Sequence, residues 1–167
     1  MTNKSDFTSD EWNQVLQGVL LSGLAITAAE PSGLFGSLKE AFASASALAK
    51  VKSAPTSNEL TNAVVASLTS RDETVGAREG MKTLFKGASS AGDVKTRALN
   101  ALRQLSALLD RKAPSDAKPF KEWLLHISQN VAEASSEGGF LGIGGVRVSE
   151  AEKATVADIS SALNLSA

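Results

Sequence analysis

The chain has no cysteine and a single histidine, and these two scarcities exclude several kinds of site at once. Without cysteine it can form no disulfide, no thiolate nucleophile and no thiolate metal site, a composition that fits a reducing compartment. With His126 alone, neither a zinc site built from several histidines nor a two-histidine proton relay can form. Glu122 and Asn130 stand four residues to either side of His126. We therefore interpret it as an exposed histidine beside a carboxylate rather than as a proton shuttle.

Aromatic residues are scarce at 5%, and tyrosine is absent. Alanine, serine and leucine supply much of the chain, which favours closely packed helices over a β-rich core. The longest run of apolar or small residues, 18–29, is about a dozen residues long, whereas a bilayer-crossing helix needs roughly 20. Asp6, Asp10 and Glu11 precede this run and are atypical of a signal peptide. We therefore expect a soluble, cytoplasmic protein without a transmembrane segment.

Net charge is also small, at −1, so no global field attracts nucleic acid or anionic lipid. Lys and Arg exceed Asp and Glu over 71–121, and the reverse holds over 122–167. Arg78, Lys82 and Lys86 fall on one helical face, which we interpret as a solvated surface that could also dock an acidic partner. A nucleic-acid interface needs a larger basic excess with interleaved aromatics, so we expect no nucleic-acid partner.

Helix starts are the clearest local signals in the chain. A Ser or Thr side chain can cap a first turn while a Glu three residues later reaches back to the cap. Segments of this type are Thr8–Glu11, Thr56–Glu59, Ser70–Glu73 and Ser149–Glu152, and Phe7 and Trp12 are placed as a hydrophobic staple at the first. With prolines as breaks, seven helices are predicted. They run from Thr8 to before Pro31, over 33–52, from the Thr56 box through Leu68, from the Ser70 box to about Lys86, over 93–112, over 116–135, and from Ser149 to about Asn164.

Apolar residues recur at helical spacing along these segments, most regularly in the fifth and sixth. Because the connections are short and no convincing alternating strand pattern appears, we expect an all-α fold. It is predicted as a compact single-domain bundle of about seven helices over 1–167. Two glycine-containing corners of similar chemistry, 30–36 and 137–152, predict two pseudo-symmetric halves. Gly18, Ser22, Ala25 and Ala29 line one side of the first helix and would suit a core contact or a dimer seam.

The glycine-rich segment 138–145 raises the question of phosphate binding. It lacks the Gly-x-Gly-x-x-Gly and Gly-Lys-Ser/Thr patterns and has no preceding strand, so we interpret it as a tight reversal. No Gly-x-Ser-x-Gly nucleophile elbow occurs either. The sequence therefore assigns no catalytic residue and no cofactor. An enzyme built from scattered Ser, Lys and Glu residues stays an alternative.

The residues at the two corners resemble a known family. The segments 131–139 and 147–152 look like the helix, acidic-glycine loop and Val/Ile-Ser-x-x-Glu helix of the tellurite-resistance TerB-like family, and 28–33 could be the partner unit. The resemblance implies an all-helical fold with internal pseudo-symmetry, a stress-response setting and acidic loops that gather a divalent cation. The implied metal ligands are Glu30, Glu137, Glu150 and Glu152, with Glu40 as a further carboxylate.

Hard cations require several such oxygens close together, so this site depends on the two corners meeting in space. Glu152 and Glu150 also have structural explanations, since one completes a capping box and the other faces the positive end of a helix dipole. We therefore expect a non-enzymatic helical protein that acts through an unknown protein partner or self-association. A divalent-metal-binding stress-response module of TerB-like type is the alternative.

Overall fold

The computed structural model describes residues 2–29, 55–136 and 148–165. Within these ranges the chain is all-α, as predicted. A short 3-10 turn, Lys4–Asp6, precedes six α-helices: α1 Ser9–Thr27, α2 Glu59–Leu68, α3 Val75–Phe85, α4 Ala91–Lys112, α5 Pro114–Ser136 and α6 Glu150–Ala162. The predicted helix over 33–52 and most of both glycine corners lie outside the described residues. The predicted pair of related halves therefore stays a prediction.

The first helix is the central element of the fold, and it packs against each of the other five. Its buried residues face several directions rather than one stripe, as expected for a helix surrounded by others. The stripe of small residues lies on this helix, with Gly18, Ser22 and Ala25 fully buried and Ala29 half-buried. An added Cβ on Gly18 would overlap Leu105 of α4. The stripe is therefore a core contact, and the dimer-seam alternative is excluded for its three buried members.

Two of the four predicted capping boxes are confirmed. In the first, the Thr8 backbone N–H donates to Glu11 Oε2 at 2.8 Å, and the Glu11 N–H donates to Thr8 Oγ1 at 3.3 Å. The Ser149 and Glu152 pair forms the same reciprocal bonds at 2.8 and 3.2 Å. The staple beside Thr8 is also present, since Phe7 and Trp12 are buried with their ring centroids 5.6 Å apart.

The other two predicted boxes are wrong, one because a different residue caps the helix and the other because its helix starts later. At the second predicted box, the residue that caps α2 is Asn58 and not Thr56. The Asn58 side-chain oxygen accepts from the Thr61 N–H at 2.8 Å, and its amide nitrogen donates to Asp116. The third fails because α3 starts only after Thr74, which makes no side-chain capping bond. Its predicted partner Glu73 instead accepts from the Ser67 hydroxyl and pairs with Lys4.

The last three helices enclose the rest of the core. Successive turns of α4 and α5 bury most of the predicted apolar stripes: Ala98, Leu102, Leu105, Leu108 and Leu109 on α4, and Phe120, Leu124, Ile127 and Val131 on α5. The other stripe residues, Val94, Ala101 and Trp123, are half-buried. Only Ala113 separates these helices, and its buried carbonyl accepts from the backbone of Ala117 at 2.7 Å. Proline is tolerated at the first helical position, so α5 starts at Pro114, two residues before the prediction.

A buried carboxylate joins three parts of the chain near this corner. Asp116 accepts from the backbone N–H of Thr2 at 3.1 Å and from the Asn58 amide at 3.1 Å. These bonds connect the N-terminal segment and the start of α2 to the first turn of α5. Within the described ranges, no helix combines the length and apolar composition needed to cross a bilayer.

Candidate functional site

A groove of about 480 Å³ with both polar and apolar lining runs between α1, α3 and α4. Four carboxamides line it: Asn13, Gln14 and Gln17 from α1, and Gln104 from α4. Two carboxylates, Asp10 and Glu79, complete its polar lining together with Thr83, and Leu21, Leu84 and Ala101 supply apolar surface. We call this feature the amide groove.

Two glycines of α3 allow the groove side of α1 to approach the α3 backbone closely. Gly76 and Gly80 lie one helical turn apart, and so do Asn13 and Gln17 on the facing helix. A Cβ on Gly76 would overlap the Asn13 amide, and a Cβ on Gly80 would overlap the Gln17 amide. The absence of side chains on α3 therefore lets the carboxamides of α1 lie directly against its backbone.

The groove carboxamides have unused hydrogen-bonding capacity. Within the described part of the chain, none of the four side chains donates to or accepts from another protein group. Asn13 and Gln17 are half-buried, whereas Gln14 and Gln104 are exposed. Each carboxamide has one acceptor oxygen and two N–H donors. The groove therefore presents a row of donors and acceptors to a ligand.

The charge of the groove is acidic. Asp10 has no ion-pair partner among the described residues, while Glu79 pairs with the exposed Lys82 at 2.6 Å. An exposed ion pair of this kind contributes only about 0–1 kcal/mol, so it can be exchanged for another at little cost. The groove thus favours a ligand with positive charge or hydrogen-bond donors.

The carboxylates with shifted pKa values lie outside the groove and support the fold. A backbone hydrogen bond from Thr8, followed by Lys112, lowers the pKa of Glu11. The Ser67 hydroxyl and then Lys4 lower the pKa of Glu73. These shifts arise from caps and ion pairs between helices, and not from an arrangement for proton transfer.

The metal residues implied by the family resemblance do not come together in the part of the chain that the structure describes. Glu150 is exposed and pairs with Lys153 at 2.7 Å, whereas Glu152 is buried in its capping box. Glu30, Glu40 and Glu137 lie outside the described residues. Within those residues, no group of three or more His, Asp or Glu side chains could hold a metal ion. A divalent-cation site therefore stays a prediction.

The other sequence-predicted features have ordinary surroundings. His126 is exposed on α5, as expected, and is not part of the groove. Arg78, Lys82 and Lys86 are exposed, which agrees with a solvated face. The reversal predicted over 138–145, with its apolar residues, lies outside the described residues.

Sequence reasoning missed the amide groove altogether. The available signal was a pair of spacings, Asn13 with Gln17 and Gly76 with Gly80, which marks two faces but not their contact. Comparisons of the chain with protein-family models, with curated proteins and with solved structures return no match. The TerB-like resemblance is therefore still a prediction, and the function is argued from the groove.

Proposed function

We propose that this protein is a non-enzymatic helical binding module that holds an extended segment of a partner protein in the amide groove. The observation that carries the proposal is the row of four carboxamides that have no protein hydrogen-bond partner among the described residues. A carboxamide offers the same kinds of donor and acceptor as a backbone peptide unit. An extended segment exposes unpaired N–H and C=O groups along its length, so it can pair with such a row.

The charge of the groove narrows the class of partner. Asp10 is unpaired within the described residues, and Glu79 is held only by an exposed lysine. A Lys or Arg side chain of the partner would find a carboxylate at either place. The proposed partner segment is therefore basic, in contrast to the acidic partner suggested by the cationic face of α3.

The chemistry of the lining favours binding over turnover. The four carboxamides do not gain or lose protons over the physiological pH range, so they can orient a ligand but cannot act as general acids or bases. The two groove carboxylates, Asp10 and Glu79, are assigned to charge recognition of the partner rather than to proton transfer. The single histidine of the chain lies elsewhere, on the exposed side of α5. We therefore assign no catalytic residue and no cofactor to the groove.

The test begins with a random peptide library displayed on phage and selected against the full chain. Selected peptides are synthesised and titrated against the protein by calorimetry, with amide chemical shifts recorded by NMR. The Gln17→Ala, Gln104→Ala double variant removes two groove carboxamides. Gln129→Ala is the matched control, because Gln129 is an exposed glutamine on α5 outside the groove.

We expect basic peptides that shift the amides of α1 and α3 and bind the double variant about 5- to 150-fold more weakly. This range corresponds to two hydrogen bonds of about 0.5–1.5 kcal/mol each. The control should bind as the unmodified chain does. Equal affinity for the double variant, or shifts confined to other helices, would overturn the proposal.

Self-association is tested in the same material by light scattering over a range of protein concentrations. If the partner is a second copy, the mass should rise with concentration in the unmodified chain and in Gln129→Ala, but not in the double variant. A chain that stays monomeric and selects no peptide would contradict the interaction function as a whole.

A further inference from the structure

A second cavity, of about 570 Å³, lies on another side of the molecule between the end of α4, the first half of α5 and the end of α6. Its charged lining comprises Asp110, Lys118, Lys121 and Glu122, and its apolar lining comprises Leu125 and Leu165. We call it the lysine cleft. It shares no lining residue with the amide groove.

The unusual member of the cleft is Lys121, which is only 3% exposed. Its Nζ donates to Asp110 Oδ1 at 2.6 Å. Within the described residues this is its one hydrogen bond, although an ammonium group carries three N–H donors. A buried charge is costly unless its hydrogen-bonding groups are satisfied. The cleft therefore contains a buried cation with two donors available for an acceptor group.

The surroundings of Lys121 do not favour a simple anion. Lys118 and Glu122 form a loose pair at 3.9 Å, so the cleft holds two cations and two carboxylates. The last turn of α6 borders the cleft at Ser160, and Asn164 just after that helix also lines it. A helix C-terminus carries partial negative charge. An anionic ligand would gain from Lys121 but would meet Asp110, Glu122 and the helix end. A ligand that carries both charges avoids this repulsion.

The apolar lining supplies the third element of recognition. Leu125 and Leu165 are half-buried and pack against the main core, so they form a fixed apolar surface beside the charged groups. The volume falls in the range of small-molecule sites, about 300–1,000 Å³. A small molecule with a charged head and a short apolar side chain fits this combination.

We propose that the lysine cleft binds a small amphipathic zwitterion of the α-amino-acid class. The ligand carboxylate accepts hydrogen bonds from Lys121, with Lys118 as a second cation at the entrance. The ligand ammonium faces Asp110 and Glu122, and its side chain lies over the two leucines. The site is a binding site only, and it is independent of the partner segment proposed for the amide groove.

L-Leucine is the probe, titrated into the full chain and followed by amide chemical shifts. Isovalerate keeps the carboxylate and the branched chain without the ammonium, and isoamylamine keeps the ammonium without the carboxylate. Lys121→Met removes the buried cation, and the partner Asp110 can then be hydrated because half of its side chain is exposed. Lys95→Met is the matched control, because Lys95 is a partly buried, ion-paired lysine outside the cleft.

We expect saturable shifts centred on residues 121–125 and 160–165 with leucine, and at least about tenfold weaker binding of the other two compounds. Lys121→Met should weaken leucine binding by at least about tenfold, as expected for a hydrogen bond to a charged group. Lys95→Met should leave it unchanged. The Lys118 side chain is 80% exposed, so the Lys118→Met variant should fold normally. It should weaken leucine binding by less than Lys121→Met does.

Three results would each overturn the proposal. The first is the absence of saturable leucine binding to the unmodified chain. The second is binding of isovalerate as tight as that of leucine, which would make the cleft a site for plain anions. The third is unchanged leucine affinity in a folded Lys121→Met variant. If that variant does not fold, unchanged affinity in Lys118→Met, with shifts away from the cleft, contradicts the proposal equally.

Discussion

Glycine-to-alanine substitutions at two helical positions should change stability in opposite directions. Gly18 is buried in the middle of α1, whereas Gly80 is half-buried on α3 at the edge of the amide groove. In both cases the added Cβ would overlap the end of a neighbouring side chain. The outcome depends on whether that neighbour can move, because alanine by itself favours a helix by about 1 kcal/mol relative to glycine.

At Gly18 the neighbour cannot move without loss. The new methyl group would overlap Leu105 and would also lie 3.5 Å from Leu124, and both leucines are buried in the core. Overpacking of a core costs about 1–3 kcal/mol. After the gain in helix propensity, we expect Gly18→Ala to lower the free energy of unfolding by about 0–2 kcal/mol.

At Gly80 the neighbour is the amide end of Gln17, which makes no protein hydrogen bond within the described residues and borders open space. It can swing away by side-chain rotation, so the helix-propensity gain of about 0.5–1 kcal/mol should persist. The same rotation displaces a groove carboxamide. Gly80→Ala should therefore be at least as stable as the unmodified chain and yet bind selected peptides more weakly.

Urea unfolding of both variants, followed by circular dichroism, measures the two effects under identical conditions. The slope of the free energy against urea should be unchanged, because neither substitution alters the surface exposed on unfolding. A Gly18→Ala variant more stable than Gly80→Ala would refute the reasoning. That result would mean that the core around Leu105 is looser than its burial indicates.

Two further predictions concern charge. The Arg97 hydrogen bonds lower the pKa of Asp93, so its stabilising contribution should be present above about pH 4 and lost as the pH falls through the lowered value. Asp93→Asn should therefore destabilise the chain more at pH 7 than well below pH 4, and an equal loss of stability at both pH values would contradict this. For the metal alternative, calorimetry with Ca²⁺, Mg²⁺ and Zn²⁺ should give no binding heat, because Glu150 and Glu152 already have protein partners. Heat that disappears in the Glu137→Gln, Glu150→Gln double variant would instead support the TerB-like site.

Local sequence patterns predicted the helices well where the signal and its partner lie within one turn. The boxes of Thr8 with Glu11 and of Ser149 with Glu152 are both present, although Glu11 also pairs with Lys112 of α4. The prediction failed at Glu73, because a hydroxyl on α2 and a lysine near the N-terminus compete for its carboxylate. A capping pattern therefore predicts a helix start reliably only when its side chains have no stronger tertiary partner.

Neither cavity could be predicted from periodicity, because each depends on contacts between residues far apart in the chain. The amide groove requires Asn13 to lie against Gly76. The pattern of apolar and polar residues along α1 or α3 alone does not indicate this contact. Lys121 is a similar case, since a lysine within a helix is ordinarily assigned to the surface. Its burial follows from the single-residue corner at Ala113, which folds α5 back so that Lys121 reaches Asp110 on α4.

The central position of α1 explains how one helix can contribute both to the core and to the amide groove. Gly18 allows close contact with α4 and α5 on one side, where leucines fill the space. On another side, the missing side chains belong to α3, at Gly76 and Gly80, and the space is filled by amide groups of α1 itself. Close packing through glycine therefore has two consequences here. It removes apolar groups from water at Gly18, and at Asn13 and Gln17 it leaves room for amide groups that have no protein hydrogen-bond partner among the described residues. The second arrangement contributes little to stability, and under the proposed function its amides are the groups that pair with the partner segment.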